Sequence, residues 1–173
     1  GLIEGGSGSQ VPAPSKLMAL EGGEFKPFNL DSEGIMNYRR VYVAEAYFYF
    51  STIQGNTYGA NECHFYSMRR EDGKVTCIPN IYATDGTVAG LESGTAPLQT
   101  NEKGDIAFIV GKYTGSDLPD DHGWNAMIKA DFSSGEMVYS IVYAKNNYIE
   151  DMSVSASGDV IARIAPDSGR ETI

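Results

Sequence analysis

From residue 41 onward, apolar and β-branched side chains come in short runs separated by polar or glycine-bearing segments. Residues 41–53 hold Val41, Tyr42, Val43, Tyr47, Phe48, Tyr49 and Phe50. Apolar residues on both faces predict one strand buried between layers. A polar loop is expected over 55–62. A hairpin follows, with strands over 63–70 and 74–82 around Asp72-Gly73, because Asp-Gly between two apolar-bearing runs is a strong hairpin signal. The same order then returns. A short strand over 96–101, a tight turn at Glu102-Lys103-Gly104 and an apolar strand over 105–113 lead into a long loop to Gly123. Strands over 125–132 and 136–143 close through Ser133-Ser134-Gly135. A third round begins with 149–155, turns at Ala156-Ser157-Gly158 and continues over 159–164. No segment after residue 40 carries a 3.6-residue period, so no long helix is expected there.

These rounds are an internal repeat. Gly104-Asp105-Ile106 returns as Gly158-Asp159-Val160, an offset of 54 residues. Residues 65–73 match 127–135 at an offset of 62, and 46–55 match 106–115 at an offset of 60. The extra residues fall in the long loop, where added length costs little. A period of this size signals a repeat architecture. The units span about 41–83, 96–143 and 149–173, with three, four and two expected strands. Ahead of them, Gly, Ser and Pro over 1–16 predict a linker or extended tail. Residues 17–40 form a packing segment of uncertain structure. There Leu17-Met18-Ala19-Leu20 is too short to identify a helix, and Phe25, Phe28 and Leu30 are placed to pack on a neighbouring sheet.

A tight turn between strands one and two, a longer loop between two and three and an x-Gly turn between three and four resemble β-propeller blades. The texture of Ser155-Ala156-Ser157-Gly158-Asp159-Val160, and of residues 131–138, is similar to that of many propeller families. No WD signature, kelch double glycine or sialidase Asp-box is present, so no subfamily is identified. The expected fold class is all-β: antiparallel four-stranded blade-like repeats forming a partial β-propeller, with a β-sandwich as the alternative. A closed propeller needs about four to eight blades, and about two and a half are visible. A fragment of a longer protein, a small sandwich or a ring closed by several chains would each account for that.

The resemblance also implies two ends. Long loops would emerge on one face and tight turns on the other, and sites usually lie on loops held by a rigid scaffold. The long-loop face would gather Tyr58, Asn61, Trp124, Tyr148, Glu150 and Asp151 as ligand-binding candidates. Asp117, Asp120 and Asp121 crowd one loop and supply hard oxygen ligands suited to Ca2+. Their spacing is not that of an EF-hand, because Pro119 occupies the third position; plain solvated acidic loops are common, whereas a metal motif needs a full ligand set. Residues 29–40 open like an EF-hand loop but place Arg40 where the bidentate Glu belongs. Trp124 offers a flat face to a sugar, or packs as a core residue of the next strand.

Charge narrows the partners. The 173 residues carry 13 basic and 23 acidic side chains, net −10, with 18 acids and 9 bases after residue 40. Such a field repels phosphate backbones and anionic membranes. No apolar run approaches the roughly 20 residues of a membrane span. No basic segment followed by an apolar one opens the chain, so an exported protein would be met here in mature form.

No complete catalytic constellation is visible. Gly5-Gly6-Ser7-Gly8-Ser9 lacks the Gly-x-Ser-x-Gly pattern. Cys63 and His64 are neighbours on a strand and point to opposite faces. With His122 as the only other histidine, a multi-histidine metal site is out of reach. Pairing about Asp72 and Gly73 sets Cys63 opposite Tyr82 and Cys77 opposite Met68. That separates the thiols by about 16 Å along the strand, beyond the roughly 4.4–6.8 Å between bonded cysteine Cα atoms. Two free thiols are expected unless the register shifts or a bulge intervenes. The chain thus reads as a non-catalytic binding or scaffold module, extracellular or in the cell envelope, meeting a carbohydrate or protein ligand. Part of a propeller hydrolase or lyase with acidic catalytic residues (Asp120, Asp121, Glu150, Asp151), or a subunit of a multi-chain surface assembly, are the alternatives.

Overall fold

The computed structural model describes residues 17–27, 38–58, 61–79, 81–82, 88–90, 97–114, 125–145 and 147–166. The described residues are all-β, without a helix. Every strand pairing is antiparallel.

The first unit is a four-stranded meander of β3 (Tyr38–Val43), β4 (Tyr47–Tyr58), β5 (Asn61–Arg69) and β6 (Val75–Ile78). Its start differs from the expectation. The apolar run over 41–53 is two strands, because the chain reverses at Ala44-Glu45-Ala46 and Ala44 N–H donates to the Tyr47 carbonyl at 3.0 Å. Alanines carry no turn signature, so the hydrophobic run masked the break. The expected loop over 55–62 is also largely strand. β4 runs on to Tyr58, which pairs with Asn61, and a register shift lies between Ser51 and Asn56.

The second unit comprises β9 (Leu98–Thr100), β10 (Ile106–Thr114), β11 (Ala126–Asp131) and β12 (Val138–Ala144), in the expected order. Between the units lie β7 (Ile81–Tyr82) and β8 (Val88–Gly90), and β8 joins the far end of β10. The expected strand over 74–82 therefore breaks after Ile78, and its tail crosses to the next sheet. The third unit is the hairpin β13 (Asn147–Val154) and β14 (Val160–Pro166). The segment left unassigned over 17–40 contains a separate hairpin, β1 (Met18–Glu21) and β2 (Glu24–Pro27), closed by Gly22-Gly23.

One core joins the units. Tyr47, Tyr49, Phe65 and Ile78 pack with Ile109, Ile128 and Phe132 of the second unit and Ile149 and Met152 of the third. Side chains such as Phe65 and Ile128, each fully buried, contribute about 1.5–3 kcal/mol apiece. Phe132 sits 5.1 Å from the Tyr47 ring and 6.3 Å from that of Tyr49. The period-2 alternation of β4 sends Phe48 and Phe50 to the other face. There Phe50 stacks on Tyr66 at 5.1 Å beside Cys63, Met68, Cys77 and Leu17.

The tight turns carry the repeat. Asn101 Oδ1 accepts from the N–H groups of Gly104 and Ile106 at 2.9 and 3.1 Å. Ser155 Oγ accepts from Asp159 N–H at 3.0 Å, the same device one unit later. These side chains stand in for a turn's backbone acceptors. The turns also meet: Ala46 N–H donates to the Lys103 carbonyl at 2.8 Å, and the Tyr49 hydroxyl donates to the Gly104 carbonyl at 2.5 Å.

Cys63 and Cys77 are joined in a disulfide with Cα atoms 6.0 Å apart, which corrects the expectation of free thiols. The hairpin does not close about Asp72 and Gly73. Arg69 N–H donates to the Lys74 carbonyl, and Tyr66 pairs with Cys77. Gly73 takes a positive φ of 71°, and the Arg69–Lys74 bond encloses residues 70–73 rather than the two residues of a type I′ turn. Asp72 instead pairs with Arg69 and accepts from Lys74 N–H. The longer loop shifts the register by two residues and brings Cys77 toward Cys63.

Candidate functional site

The antiparallel order separates two ends. The turns at 44–46, 70–74, 101–105, 132–136 and 155–159 occupy one. The β4–β5 and β12–β13 connections belong to the other, with the last residues of β10 and the first of β11. Of the expected ligand-facing residues, Tyr58, Asn61 and Tyr148 fall at this second end, whereas Glu150 and Asp151 lie midway along β13. Tyr58 and Asn61 are the last backbone pair of the β4–β5 hairpin. Tyr148 is half-buried near the start of β13. Asp117, Asp120, Asp121 and Trp124 lie outside the described residues.

Glu150 and Asp151 stand at a β-bulge. Ile149 pairs with Ile164 and Asp151 with Arg163, so Glu150 is the additional residue. A bulge re-aims side chains. Here it brings the Glu150 carboxylate 2.8 Å from the Arg163 guanidinium. Both groups are largely exposed, so the pair is worth little in stability. Asp151 Oδ1 accepts from Met152 N–H at 2.9 Å. Each carboxylate therefore already has a partner in the chain. At the second end Asn147 Nδ2 donates to the Tyr143 hydroxyl at 3.3 Å and ties β13 to β12. Tyr143 and Tyr148 are half-buried at this end. Among the described residues no cluster of three His, Cys, Asp or Glu is placed to hold a metal ion.

The tight-turn end has its own polar features, which the motif reading passed over. Lys74 Nζ lies 3.1 Å from Glu136 Oε1 across the first and second units. The two residues are 62 apart, the repeat offset, so equivalent positions carry opposite charge; that was the available signal. Beside them a cleft lined by Tyr47, Arg69, Thr76, Phe132 and Met137 has a volume of about 10 Å³, room for about one water. It is too small for a ligand.

Three carboxyls here titrate low. Asp72 is held below the usual range by Arg69 and by Lys74 N–H. Burial pushes Asp105 up, and bonds from Asn101 and Lys103 overcome it. Asp131 falls to about 2, chiefly through Ser133 and then Lys129. Its Oδ1 accepts from Ser133 N–H at 3.0 Å and Ser133 Oγ at 2.6 Å, with Lys129 Nζ 2.9 Å from Oδ2. A carboxyl lowered on folding adds stability above its unfolded pKa and loses it as pH falls through the folded one. Asp131→Asn should thus be less stable than wild type at neutral pH. The difference should close between about pH 4 and about 2. Thermal midpoints of both proteins across that window check this; a constant difference would mean the charge on Asp131 contributes nothing. Among the tyrosines, burial, with Tyr47, Asp105 and Asp131 nearby, raises Tyr49 well above the ordinary phenol range and keeps it a neutral donor to Gly104.

The chain matches no family model, no curated protein and no solved structure.

Proposed function

We propose that the protein is a non-catalytic binding or scaffold module of propeller type that meets a carbohydrate or protein ligand on its long-connection face. One observation carries this reading. Three successive antiparallel units have their tight turns at one end, where backbone bonds join the turns of the first and second units and side-chain caps fix those of the second and third. A rigid base of this kind frees the opposite connections to vary and to bind. The residues assigned to the ligand are Tyr58, Asn61, Trp124, Tyr148, Glu150 and Asp151, with Asp117, Asp120 and Asp121 as oxygen ligands for Ca2+. The disulfide supports an extracellular or cell-envelope location, since such bonds persist in oxidising compartments. The net charge of −10 favours neutral or basic partners over nucleic acid.

The test compares wild type with a variant carrying Ala at Asp117, Asp120, Asp121 and Trp124, both screened on a glycan array and titrated with CaCl2 by calorimetry. Retention by wild type and loss of about tenfold or more in the variant are expected. Unchanged binding by the variant sinks the face assignment.

A further inference from the structure

The first and third units are open in complementary ways. β4 and β10 each carry a third strand, β5 or β11, along one edge. Among the described residues β14 pairs only with β13. The repeat offsets make Ile161 the counterpart of Ala107 and Tyr47. Those two are 0% and 6% exposed, whereas Ile161 is 79% exposed. Among the described residues the third unit thus has strands one and two, with a bare aliphatic where its predecessors are covered.

The β1–β2 hairpin is the missing half. A tight glycine turn joins its strands, as at the turns between strands three and four, and it leads on to strand one of the next unit. Leu17 at its base packs against the Phe50–Tyr66 face of the first unit, the side away from the second. That is where a preceding unit in the row would sit. The hairpin forms its own two-stranded sheet, and its cross-strand pair Leu20 and Phe25 is 64% and 69% exposed.

We infer that β1 of one copy of this chain pairs with the open edge of β14 in a second copy, and reciprocally. In the second unit Ala107 pairs with Ala130, one residue before the closing pair of the β11–β12 hairpin. The same register sets Ile161 opposite Leu20, one before the closing pair of Glu21 and Glu24. Ile161, Leu20 and Phe25 then form one apolar row across a completed four-stranded unit, and the open edge disappears. The two hairpins lie at opposite ends of the row of units, so the contact is head-to-tail, and it closes when two copies complete each other. The strand pairing does not rest on the propeller reading above.

Sedimentation of the 173-residue chain over a wide concentration range should show a dimer, and Leu20→Asp or Ile161→Asp should weaken it at least about tenfold. Because both side chains are exposed, each variant should melt as wild type does at low concentration. The register is tested by mixing Leu20→Cys with Ile161→Cys under mild oxidation. A mixed covalent dimer should form, and neither variant alone should give one at comparable rate. A monomer at every concentration, a dimer indifferent to both Asp changes, or no mixed cross-link overturns the pairing. A monomer would leave the edge to a further unit of a longer polypeptide. None of these outcomes touches the long-connection binding result, which is read on a different face.

Discussion

Gly104→Ala should lower the thermal midpoint by roughly 4–20 °C. Gly104 has φ of +82° and is buried at the junction of the first and second units. An L-residue there costs about 1–2 kcal/mol through its Cβ. The added methyl would also overlap Ala44 Cβ, with Tyr47 Cβ at 3.4 Å and the Tyr47 carbonyl at 3.5 Å behind it. Ala44 Cβ is fixed to the backbone and has no rotamer to swing away, so relief must come from separating two turns. Overpacking of this kind costs about 1–3 kcal/mol. Together the two effects reach about 2–5 kcal/mol, and each kcal/mol lowers the midpoint of a chain this size by about 2–4 °C. Two comparisons isolate the contact. Gly135→Ala, at φ of +91° with open space around it, should lose only the backbone contribution. Gly158→Ala should fall between, because the methyl would meet the movable Cδ1 of Ile106 at 2.6 Å. Adding Ala44→Gly to Gly104→Ala should recover part of the loss. If Gly104→Ala melts like Gly135→Ala, the close approach of the two turns is wrong.

The repeat was legible because its signals are local. Glycines at 73, 104, 135 and 158 all adopt the positive φ that their turns require, and the apolar runs between them became strands. The alanine turn at 44–46 was not legible: nothing in Ala-Glu-Ala marks a reversal, and the contacts that stabilise it come from Glu102 and Lys103, more than 50 residues on. The β1–β2 hairpin was missed because four-residue strands carry too few positions to show a period. Its Gly22-Gly23 turn was the one local signal. β7 and β8 are held by pairing with β10 and with each other, which no local pattern reports. As for the candidate site, Tyr58, Asn61 and Tyr148 fall at the predicted end because strand direction alone decides it. The engagement of Glu150 by Arg163 depends on a bulge, and an extra residue in one strand changes which side chains meet without altering composition.

Replacing both cysteines, Cys63→Ala with Cys77→Ala, should cost about 3 kcal/mol, or roughly 6–12 °C in thermal midpoint. The bond closes a loop with a sequence separation of 14, and cross-linking a loop of about 15 residues removes about that much chain entropy from the unfolded state. Tyr66 and Phe50 stack beside the disulfide, and the Tyr66 hydroxyl donates to the Cys63 carbonyl at 3.1 Å, so the bond fixes the edge strand β6 against the aromatic layer. Alanine rather than serine keeps the buried site free of an unpaired hydroxyl. Adding reductant to wild type should reproduce most of the loss, and the same reductant should leave the double alanine variant unmoved. Register gives the sharper reading. The loop closed by Arg69 and Lys74 places Tyr66 opposite Cys77, whereas closure about Asp72 and Gly73 would carry the cysteines out of bonding range. Mass mapping of a Cys63–Cys77 cross-link in the unreduced protein therefore tests the hairpin register itself. If reductant leaves the melting curve of wild type unchanged and both thiols alkylate at once, the bond is absent and the two-residue register shift falls with it.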